Sequence, residues 1–231
     1  MSFTADVAVL RRLSRSHLDL QTKKSMTRIG VIGGSFNPIH IAHLIIADRF
    51  VEQMGLESCY FVPAFQTPFK VGHPPSHDAS PEQRLAMVES AVVLNPYFRT
   101  SDVEIRRGGV SYTIDTITHM RSVHPHAELC LLIGSDQAIE FVRWKEWQEI
   151  LRLAQLCIAR RPFLLTPEQE ERMNEALTVD GRSPVWISAP LLELSSTEIR
   201  RRVAEGRTAN YMTVKAVIDY IRDQGLYSKD Q

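Results

Sequence analysis

The residues best suited to chemistry come directly after an apolar run near the beginning of the chain. Residues 29–32 are followed by the string Gly33-Gly34-Ser35-Phe36-Asn37-Pro38-Ile39-His40-Ile41-Ala42-His43. Paired glycines let the backbone approach a ligand, and unbonded N–H groups at the start of the next helix attract phosphate. His40 and His43 are three residues apart, so on a helix both rings lie on one face and can donate to the same polyphosphate. A zinc site is disfavoured because no acidic or cysteine third ligand accompanies the two histidines.

A second group of candidates lies near the other end of the chain. Ser195-Ser196-Thr197-Glu198-Ile199-Arg200 places three hydroxyl groups at a predicted helix start, with a guanidinium one turn further on. A helix N-terminus attracts anions, and Arg200 can donate charge-assisted hydrogen bonds to phosphate oxygens. The alternative is structural: Ser195 and Glu198 form a reciprocal helix cap, and Arg200 begins a solvated basic face. We expect the two groups to fold together around one triphosphate.

The elements that must position these residues follow from the pattern of apolar runs. From residue 28 onward, short runs alternate with helical patterns. This alternation predicts an α/β protein, with a doubly wound, Rossmann-like parallel sheet, helices on both faces and a C-terminal helical segment. The predicted strands are residues 29–32, 59–62, 98–103, 129–133, 156–159 and 185–187. The first string then lies at the carboxyl end of the first strand, where such sheets bind ligands.

Local signals mark where helices begin and end. Ser80-Pro81-Glu82-Gln83 and Thr166-Pro167-Glu168-Gln169 each combine a hydroxyl cap, a proline at the first helical position and a glutamine that can close a capping box. A third helix is predicted over residues 196–205. Gly55 and Gly225 are predicted to end two further helices.

Composition limits the classes of function. The 231-residue chain is 44% hydrophobic and 23% charged, and its formal net charge is zero. Without a global field, neither nucleic acid nor an anionic membrane is an expected partner. Cys59, Cys130 and Cys157 lie in predicted strands without metal-ligand spacing, which favours core thiols in a reducing cytoplasm. No apolar stretch approaches the roughly 18 residues that span a membrane.

Residues 1–27 are predicted to be a flexible N-terminal extension of one domain that covers residues 28–231. The extension mixes basic residues with serines but has no apolar block long enough for a secretory signal. Its apolar residues fit one weakly amphipathic helical face, so an organelle-targeting peptide stays open. Met26, directly before the first strand, also leaves open a later start of the chain.

The two groups of candidates together resemble a known family. The first string is similar to the signature G-G-S/T-F-N/D-P-x-H-x-G-H of the nucleotidyltransferase superfamily, and the second is similar to its signature S-S-T-x-I-R. Ala42 stands where the superfamily usually has glycine. Across about residues 28–227 the chain resembles the bacterial nicotinate-mononucleotide adenylyltransferases. Residues 217–227 resemble the last helix of that family, which is expected to pack without a chemical role.

The resemblance implies which residues hold ATP. Three residues are implied to act in catalysis on the phosphates: His40, His43 and Arg200. The residues implied to contact ATP are Gly33, Gly34, Ser35, Phe36, Gly134, Asp136, Arg161, Ser195, Ser196 and Thr197. The Asp136 carboxylate can accept ribose hydroxyls; the alternative is that Asp136 caps the following helix. Arg161 matches an R-P-G element that lacks its glycine here.

The same resemblance implies a mononucleotide site. The residues implied to contact it are Asn37, Lys70, Thr113 and Trp144. Lys70 ends a loop similar to P-x-x-x-P-P-H-K, in which Pro-Pro-His is reduced to Pro68-Phe69; the alternative is an exposed lysine. Thr113 lies in S-Y-T-x-D-T and is also a candidate N-cap. Trp144 is the implied stacking partner of the nicotinate ring. Alternatively Trp144 and Trp147 are core residues of one amphipathic helix, the interpretation preferred for Trp147.

The activity implied is that of an adenylyltransferase of NAD biosynthesis. It would condense nicotinic acid mononucleotide with ATP to deamido-NAD and pyrophosphate, with Mg²⁺ carried by the ATP phosphates and no metal held by the protein. The alternatives are another member of the superfamily, acting on nicotinamide mononucleotide or phosphopantetheine or forming a CDP-alcohol, and a catalytically silent nucleotide sensor. A class I synthetase fragment is disfavoured because no K-M-S-K-S loop or basic stripe is present. The sequence leaves open both the choice between nicotinate and nicotinamide and a homo-oligomeric state.

Overall fold

A computed structural model describes residues 26–68, 79–160 and 165–228 of the chain. The strands of the described residues are β1 (Arg28–Gly34), β2 (Ser58–Pro63), β3 (Phe98–Thr100), β4 (Glu128–Gly134), β5 (Ala154–Ala159) and β6 (Val185–Ile187). They form one parallel sheet in the order β3-β2-β1-β4-β5-β6. Each predicted strand is present, although the run predicted over residues 98–103 is a strand only over Phe98–Thr100.

Helices cover both faces of the sheet. They are α1 (Ile41–Met54), α2 (Pro81–Val92), α3 (Val103–Arg107), α4 (Thr113–Val123), α5 (Ser135–Ile139), α6 (Trp147–Leu153), α7 (Pro167–Ala176), α8 (Ser196–Ala204) and α9 (Lys215–Asp223), with one 3₁₀ turn at Phe141–Arg143. Within the described ranges, none of these helices has both the length and the apolar character that crossing a membrane requires. The predicted α/β class and the C-terminal helical segment are confirmed.

Two hydrophobic clusters fix the helices to the sheet. Side chains alternate between the faces of a strand, so Val31 and Ile32 of β1 enter different clusters. On one face, Ile32 packs in a cluster with α1, α2 and α9 residues such as Phe50, Met87 and Val217. On the other face, Val31 packs with residues of α4 and α6. Apolar burial on both faces is typical of a parallel sheet in this class.

The helix starts follow the predicted capping chemistry. Ser80 and Thr166 accept hydrogen bonds from the backbone N–H groups of Gln83 and Gln169, and each glutamine side chain accepts from the cap residue in return. Gly55, at the end of α1, has a left-handed φ of 61°. That value explains the glycine, because other residues rarely adopt it.

The three cysteines are buried free thiols, as predicted. Cys59, Cys130 and Cys157 lie in β2, β4 and β5, with their side chains in the cluster that contains Ile32. Burial raises the pKa of the Cys59 thiol far above its ordinary range, which keeps the sulfur protonated. These residues therefore act as small apolar side chains in the core.

Candidate active site

The site lies at the carboxyl ends of β1 and β4, in the middle of the sheet. β1 pairs with β2 on one side and with β4 on the other, so the chain leaves these strands toward opposite edges of the sheet. Such a reversal of strand order opens a crevice that binds ligands in open α/β sheets. Gly33 is exposed although it belongs to a central strand. The predicted glycine turn therefore offers exposed backbone at the place where this strand order leads us to expect a ligand.

The glycine turn is shaped by Phe36. The Phe36 ring is buried and folds back under Gly34, where an added Cβ would lie 3.0 Å from the ring. Phe36 itself has a left-handed φ of 46°, which is uncommon for a residue with a side chain. The Gly34 carbonyl accepts a hydrogen bond of 2.9 Å from the Ala64 N–H of the neighbouring loop. Packing and hydrogen bonding thus fix the turn, and Gly34 leaves room for the ring.

The two histidines stack against each other at the start of α1. Their ring centroids are 3.6 Å apart and the planes differ by 19°, which confirms that both rings lie on one face. His40 is the N-cap residue, and its N–H donates to Nδ1 of His43 at 3.2 Å. Because Nδ1 of His43 is an acceptor, a neutral His43 carries its proton on Nε2. The bond from the His40 N–H therefore fixes the tautomer of a neutral His43.

Ala42, which replaces the usual glycine of the first signature, lies between the two histidines. Only 7% of its surface is exposed. Its methyl group is therefore largely enclosed by the protein.

The second signature is bonded directly to the first. The Ser196 hydroxyl donates to the Pro38 carbonyl at 2.8 Å, and Nη1 of Arg200 donates to the Asn37 carbonyl at 2.7 Å. Nη2 of Arg200 also donates to the Thr197 hydroxyl at 3.3 Å. The prediction that the two distant segments fold together is confirmed. One guanidinium bond and one hydroxyl bond hold the helix start beside the histidine loop, and the bond to Thr197 orients the guanidinium within α8.

The reciprocal cap predicted at Ser195 forms with one of its two hydrogen bonds. The Ser195 hydroxyl accepts from the Glu198 N–H at 3.2 Å, so α8 begins at Ser196 as expected. In a full capping box the Glu198 side chain would bond to the Ser195 N–H. Here the Glu198 carboxylate forms an ion pair with Arg201 instead. An i, i+3 ion pair on the exposed helix surface competes successfully for that carboxylate.

Gly134 and Asp136 lie at the end of β4, next to β1. Gly134 is the N-cap residue of α5, and its N–H donates to the Gln137 side chain at 3.0 Å. Asp136 is the second residue of that helix and is exposed. The alternative that Asp136 caps the helix is therefore wrong. Asp136 therefore lies directly after the carboxyl end of β4.

A third loop follows β2 and is tied to the start of α4. The Phe65 N–H donates to the Ser111 hydroxyl at 2.9 Å, and the Ser111 N–H donates to the Gln66 carbonyl at 2.8 Å. Thr113 is the first residue of α4, whose N-cap position is held by Tyr112, so the N-cap interpretation of Thr113 is wrong. The two segments implied to hold the mononucleotide therefore lie side by side.

A buried carboxyl group lies beneath this loop. Glu104 of α3 is only 6% exposed and accepts a short hydrogen bond from the Thr116 hydroxyl. Burial raises the pKa of Glu104, and hydrogen bonds from Ser111 and Thr116 oppose that rise. Sequence reasoning missed this residue, whose carboxyl group is bonded to the side chains of Ser111 and Thr116.

Trp144 follows the 3₁₀ turn rather than lying in a helix. Its backbone is extended (φ −71°, ψ 147°), and α6 begins only at Trp147, so the prediction of one helix carrying both residues is wrong. Both indoles pack against the second cluster, and the Trp144 ring lies 4.9 Å from that of Phe141. Lys145 Nζ lies 4.8 Å from the Tyr112 ring centroid. This contact joins the tryptophan segment to the start of α4.

Two residues outside the prediction hold the site loops. The Tyr227 hydroxyl donates to Oδ1 of Asn37 at 2.6 Å, so the C-terminal segment does reach the site. The Asn37 oxygen also accepts from the Ala79 N–H at 3.2 Å, and the residue is only 3% exposed. Arg84 donates to the Ser35 carbonyl at 2.7 Å. The sequence did contain one sign that Arg84 is buried: it lies three residues before Met87, on the face of α2 that packs against the core.

Two predicted site residues, Lys70 and Arg161, lie outside the described residues. The same is true of the predicted extension, except for its last two residues. In the part of the chain that the structure describes, no cluster of three or more histidine, cysteine or acidic residues could hold a metal ion.

Comparison with known proteins places this site in a family. The model of the family Cytidylyltransferase-like matches residues 31–202. A probable nicotinate-nucleotide adenylyltransferase from Thermomicrobium roseum is 38% identical over 208 residues, which cover 87% of this chain and 92% of the relative. A protein with the same name from Herpetosiphon aurantiacus is 39% identical over 204 residues, covering 87% and 99%.

A solved structure has the same fold. The Plasmodium falciparum nicotinic acid mononucleotide adenylyltransferase complexed with NaAD superposes with a TM-score of 0.70 at 20% identity, covering 87% of this chain and 97% of that one. The family match and the curated relatives together establish the family. This chain belongs to the Cytidylyltransferase-like family and, within it, to the nicotinate-nucleotide adenylyltransferases.

Proposed function

We propose that the chain joins the 5′-phosphate of nicotinic acid mononucleotide to the AMP part of ATP, forming deamido-NAD and pyrophosphate in NAD biosynthesis. One observation carries this proposal: the stacked His40–His43 pair and the Arg200 guanidinium meet at one loop at the carboxyl end of β1. Imidazole, guanidinium and hydroxyl donors converging on a crevice suit a polyphosphate. The names of the curated relatives support the choice of acceptor.

The reaction requires positioning and charge stabilisation. The anionic mononucleotide phosphate attacks the α-phosphorus of ATP in line, a P–O bond forms, and the bond to the β-phosphate breaks. His40 and His43 bind the α-phosphoryl oxygens, and Arg200 holds the leaving pyrophosphate. The attacking phosphate is already anionic, so no general base is required.

The remaining ATP contacts are proposed on both sides of the crevice. Gly33, Gly34, Ser35 and Phe36 line the nucleotide on the β1 side, and Gly134 with Asp136 receives the ribose on the β4 side. Ser195, Ser196 and Thr197 surround the β- and γ-phosphates together with Arg161. The exposed Gly33 and Asp136 support this arrangement. Mg²⁺ would enter with the nucleotide as MgATP and would neutralise part of the phosphate charge.

The mononucleotide is proposed to lie between the β2 loop, the start of α4 and Trp144. Thr113 and Lys70 would contact its phosphate and ribose, and Trp144 would stack on the pyridinium ring. Asn37 is proposed to line the same site, where its side-chain oxygen is held in place by the Ala79 N–H and the Tyr227 hydroxyl. We place the reaction in the cytoplasm, a compartment that suits three buried thiols.

The test is a comparison of acceptors. Pyrophosphate release is measured with MgATP and nicotinic acid mononucleotide, nicotinamide mononucleotide or phosphopantetheine in turn, with an Arg200→Ala preparation as the control for contaminating activity. We expect kcat/KM to be at least tenfold higher with the nicotinate form. Preference for another acceptor would correct the substrate. ATP binding without turnover on any acceptor would refute the proposed enzyme and favour a nucleotide sensor.

A further inference from the structure

A buried arginine lies between the loops that form the proposed site. Arg84 of α2 is only 6% exposed. Its Nη1 donates to the Ser35 carbonyl at 2.7 Å, its Nη2 to the Phe65 carbonyl at 3.1 Å, and its Nε to the Ala79 carbonyl at 3.3 Å. A guanidinium presents its donors in a fixed plane, so the three bonds set the relative positions of the three acceptors.

The three acceptors belong to different parts of the proposed site. Ser35 follows the glycine turn proposed to hold ATP, and Phe65 lies in the loop after β2 proposed to hold the mononucleotide. The Ala79 N–H donates to Oδ1 of Asn37 at 3.2 Å, which extends the contact to the histidine loop. One side chain therefore joins the loops on the two substrate sides.

The arginine itself is anchored at a rigid point of the fold. Ser80 and Gln83 form a complete capping box at the start of α2, and the Arg84 N–H donates to the Ser80 carbonyl at 2.9 Å. Met87 and Val88, one turn further, are fully buried. The helix that carries the guanidinium is thus fixed at its start and along its buried face.

We propose that Arg84 is a positioning residue that sets the distance and angle between the two substrates. This inference rests on the proposed function, because it assigns the two loops to the two substrates. In-line attack requires the reacting atoms to lie about 3–3.5 Å apart, and a misplacement of about 1 Å can cost on the order of 100-fold in rate. Arg84 touches neither substrate and acts through the carbonyl groups of the loops.

The proposal separates binding from turnover. In Arg84→Met, each loop keeps its own substrate contacts and the Ala64 N–H still bonds to the Gly34 carbonyl. The guanidinium, however, no longer fixes the Ser35, Phe65 and Ala79 carbonyl groups relative to one another. We expect kcat to fall at least tenfold, whereas the Kd of a non-hydrolysable ATP analogue and that of nicotinic acid mononucleotide, each measured alone by calorimetry, change by less than about threefold. Arg84→Lys, which keeps one donor group, recovers part of kcat.

Arg121 provides a matched control. It also uses its guanidinium to bind two backbone carbonyls, donating to Leu153 at 2.7 Å and also to Ala127. These acceptors lie at the amino ends of β5 and β4, whereas the site lies at the carboxyl ends of the strands. Arg121→Met therefore removes comparable bonds, and we expect it to lower the melting temperature without changing kcat at a temperature where it remains folded.

The outcomes are distinct. A parent chain without pyrophosphate release refutes the proposed function. With an active parent, the inference is overturned if kcat of Arg84→Met stays within twofold of the parent, or if Arg84→Met and Arg121→Met lose activity equally. If Arg84→Met fails to fold, Arg84→Lys decides by the same criteria. Loss of folding in both, with Arg121→Met intact, makes Arg84 a determinant of the fold and also overturns the inference.

Discussion

Substituting Gly33 by alanine tests whether glycine at this position makes room for a nucleotide or is required by the packing of the fold. Gly33 is exposed near the carboxyl end of the central strand β1, and an added Cβ would meet no heavy atom of the described chain within 4 Å, apart from its own neighbours. Its φ lies outside the left-handed region. The protein alone therefore gives no reason for glycine at this position. The proposed nucleotide does give one, because backbone in contact with a ligand leaves no space for a methyl group.

In Gly33→Ala, thermal stability is expected to rise while activity falls. Replacing glycine by alanine where the backbone allows it stabilises a protein by about 0.4–1 kcal/mol, because the unfolded chain loses freedom. For a chain of this size, that gain corresponds to a rise of about 1–4 °C in melting temperature. The methyl group would displace ATP from contact with the strand. We expect kcat/KM for ATP to fall at least tenfold, equivalent to about 1.4 kcal/mol.

The assay combines thermal unfolding with initial rates of pyrophosphate release at varied MgATP and saturating nicotinic acid mononucleotide. Gly30→Ala is the comparison, since its Cβ would lie 2.6 Å from Leu56 and 2.8 Å from Phe50. Overpacking of this kind costs roughly 1–3 kcal/mol, so Gly30→Ala should melt earlier than the parent. An unchanged kcat/KM for ATP in Gly33→Ala would refute the placement of the nucleotide. A lower melting temperature in that variant would refute the packing argument.

Three further substitutions test other parts of the site. His43→Ala should lower kcat about 100-fold in the same assay, since it removes a donor to charge that develops on the phosphoryl oxygens; turnover within a few-fold of the parent would exclude that role. Trp144→Ala should raise the KM for the mononucleotide by about tenfold and leave the KM for ATP unchanged, because stacking on an aromatic ring contributes about 1–3 kcal/mol. Glu104→Gln should become progressively more stable than the parent as the pH rises above the ordinary pKa of a glutamate, about 4.3. The raised pKa means that folding favours the protonated carboxyl group, so the parent loses stability as Glu104 ionises; a difference in unfolding free energy that does not depend on pH would contradict this.

Local signals predicted most of the fold. Ser80 and Thr166 cap α2 and α7 as expected, because the hydroxyl, the proline and the glutamine that form each cap lie within four consecutive residues. The strands were equally easy to predict from the sequence, since a buried parallel strand appears as a short apolar run whatever its neighbours are. Strand ends were less accurate: the predicted run 98–103 is a strand only over Phe98–Thr100. Val103 instead begins α3.

The wrong details of the site come from competition between neighbouring residues. Asp136 and Thr113 are both good N-cap residues, but the cap positions are held by Gly134 and Tyr112. The backbone at Gly134 and Tyr112 is extended, which is the conformation that an N-cap requires. The spacing of Trp144 and Trp147 fits a helix, yet the chain is extended at Trp144. Side-chain preferences alone do not decide which of several adjacent residues turns the chain.

Two of the residues that sequence reasoning missed, Arg84 and Tyr227, share one physical property: their bonds join segments far apart in sequence. The acceptors of Arg84 are backbone carbonyl groups, which every residue has, and Tyr227 reaches an asparagine 190 residues away. A short sequence motif therefore does not reveal such a partner. What the sequence does record is the anomaly of a charged residue on a buried helical stripe, three residues before Met87. Burying a guanidinium is costly unless its donors are satisfied, so a position of this kind implies that acceptors converge on it. Here they converge from loops on both substrate sides, and for this reason Arg84 is expected to affect turnover more than binding.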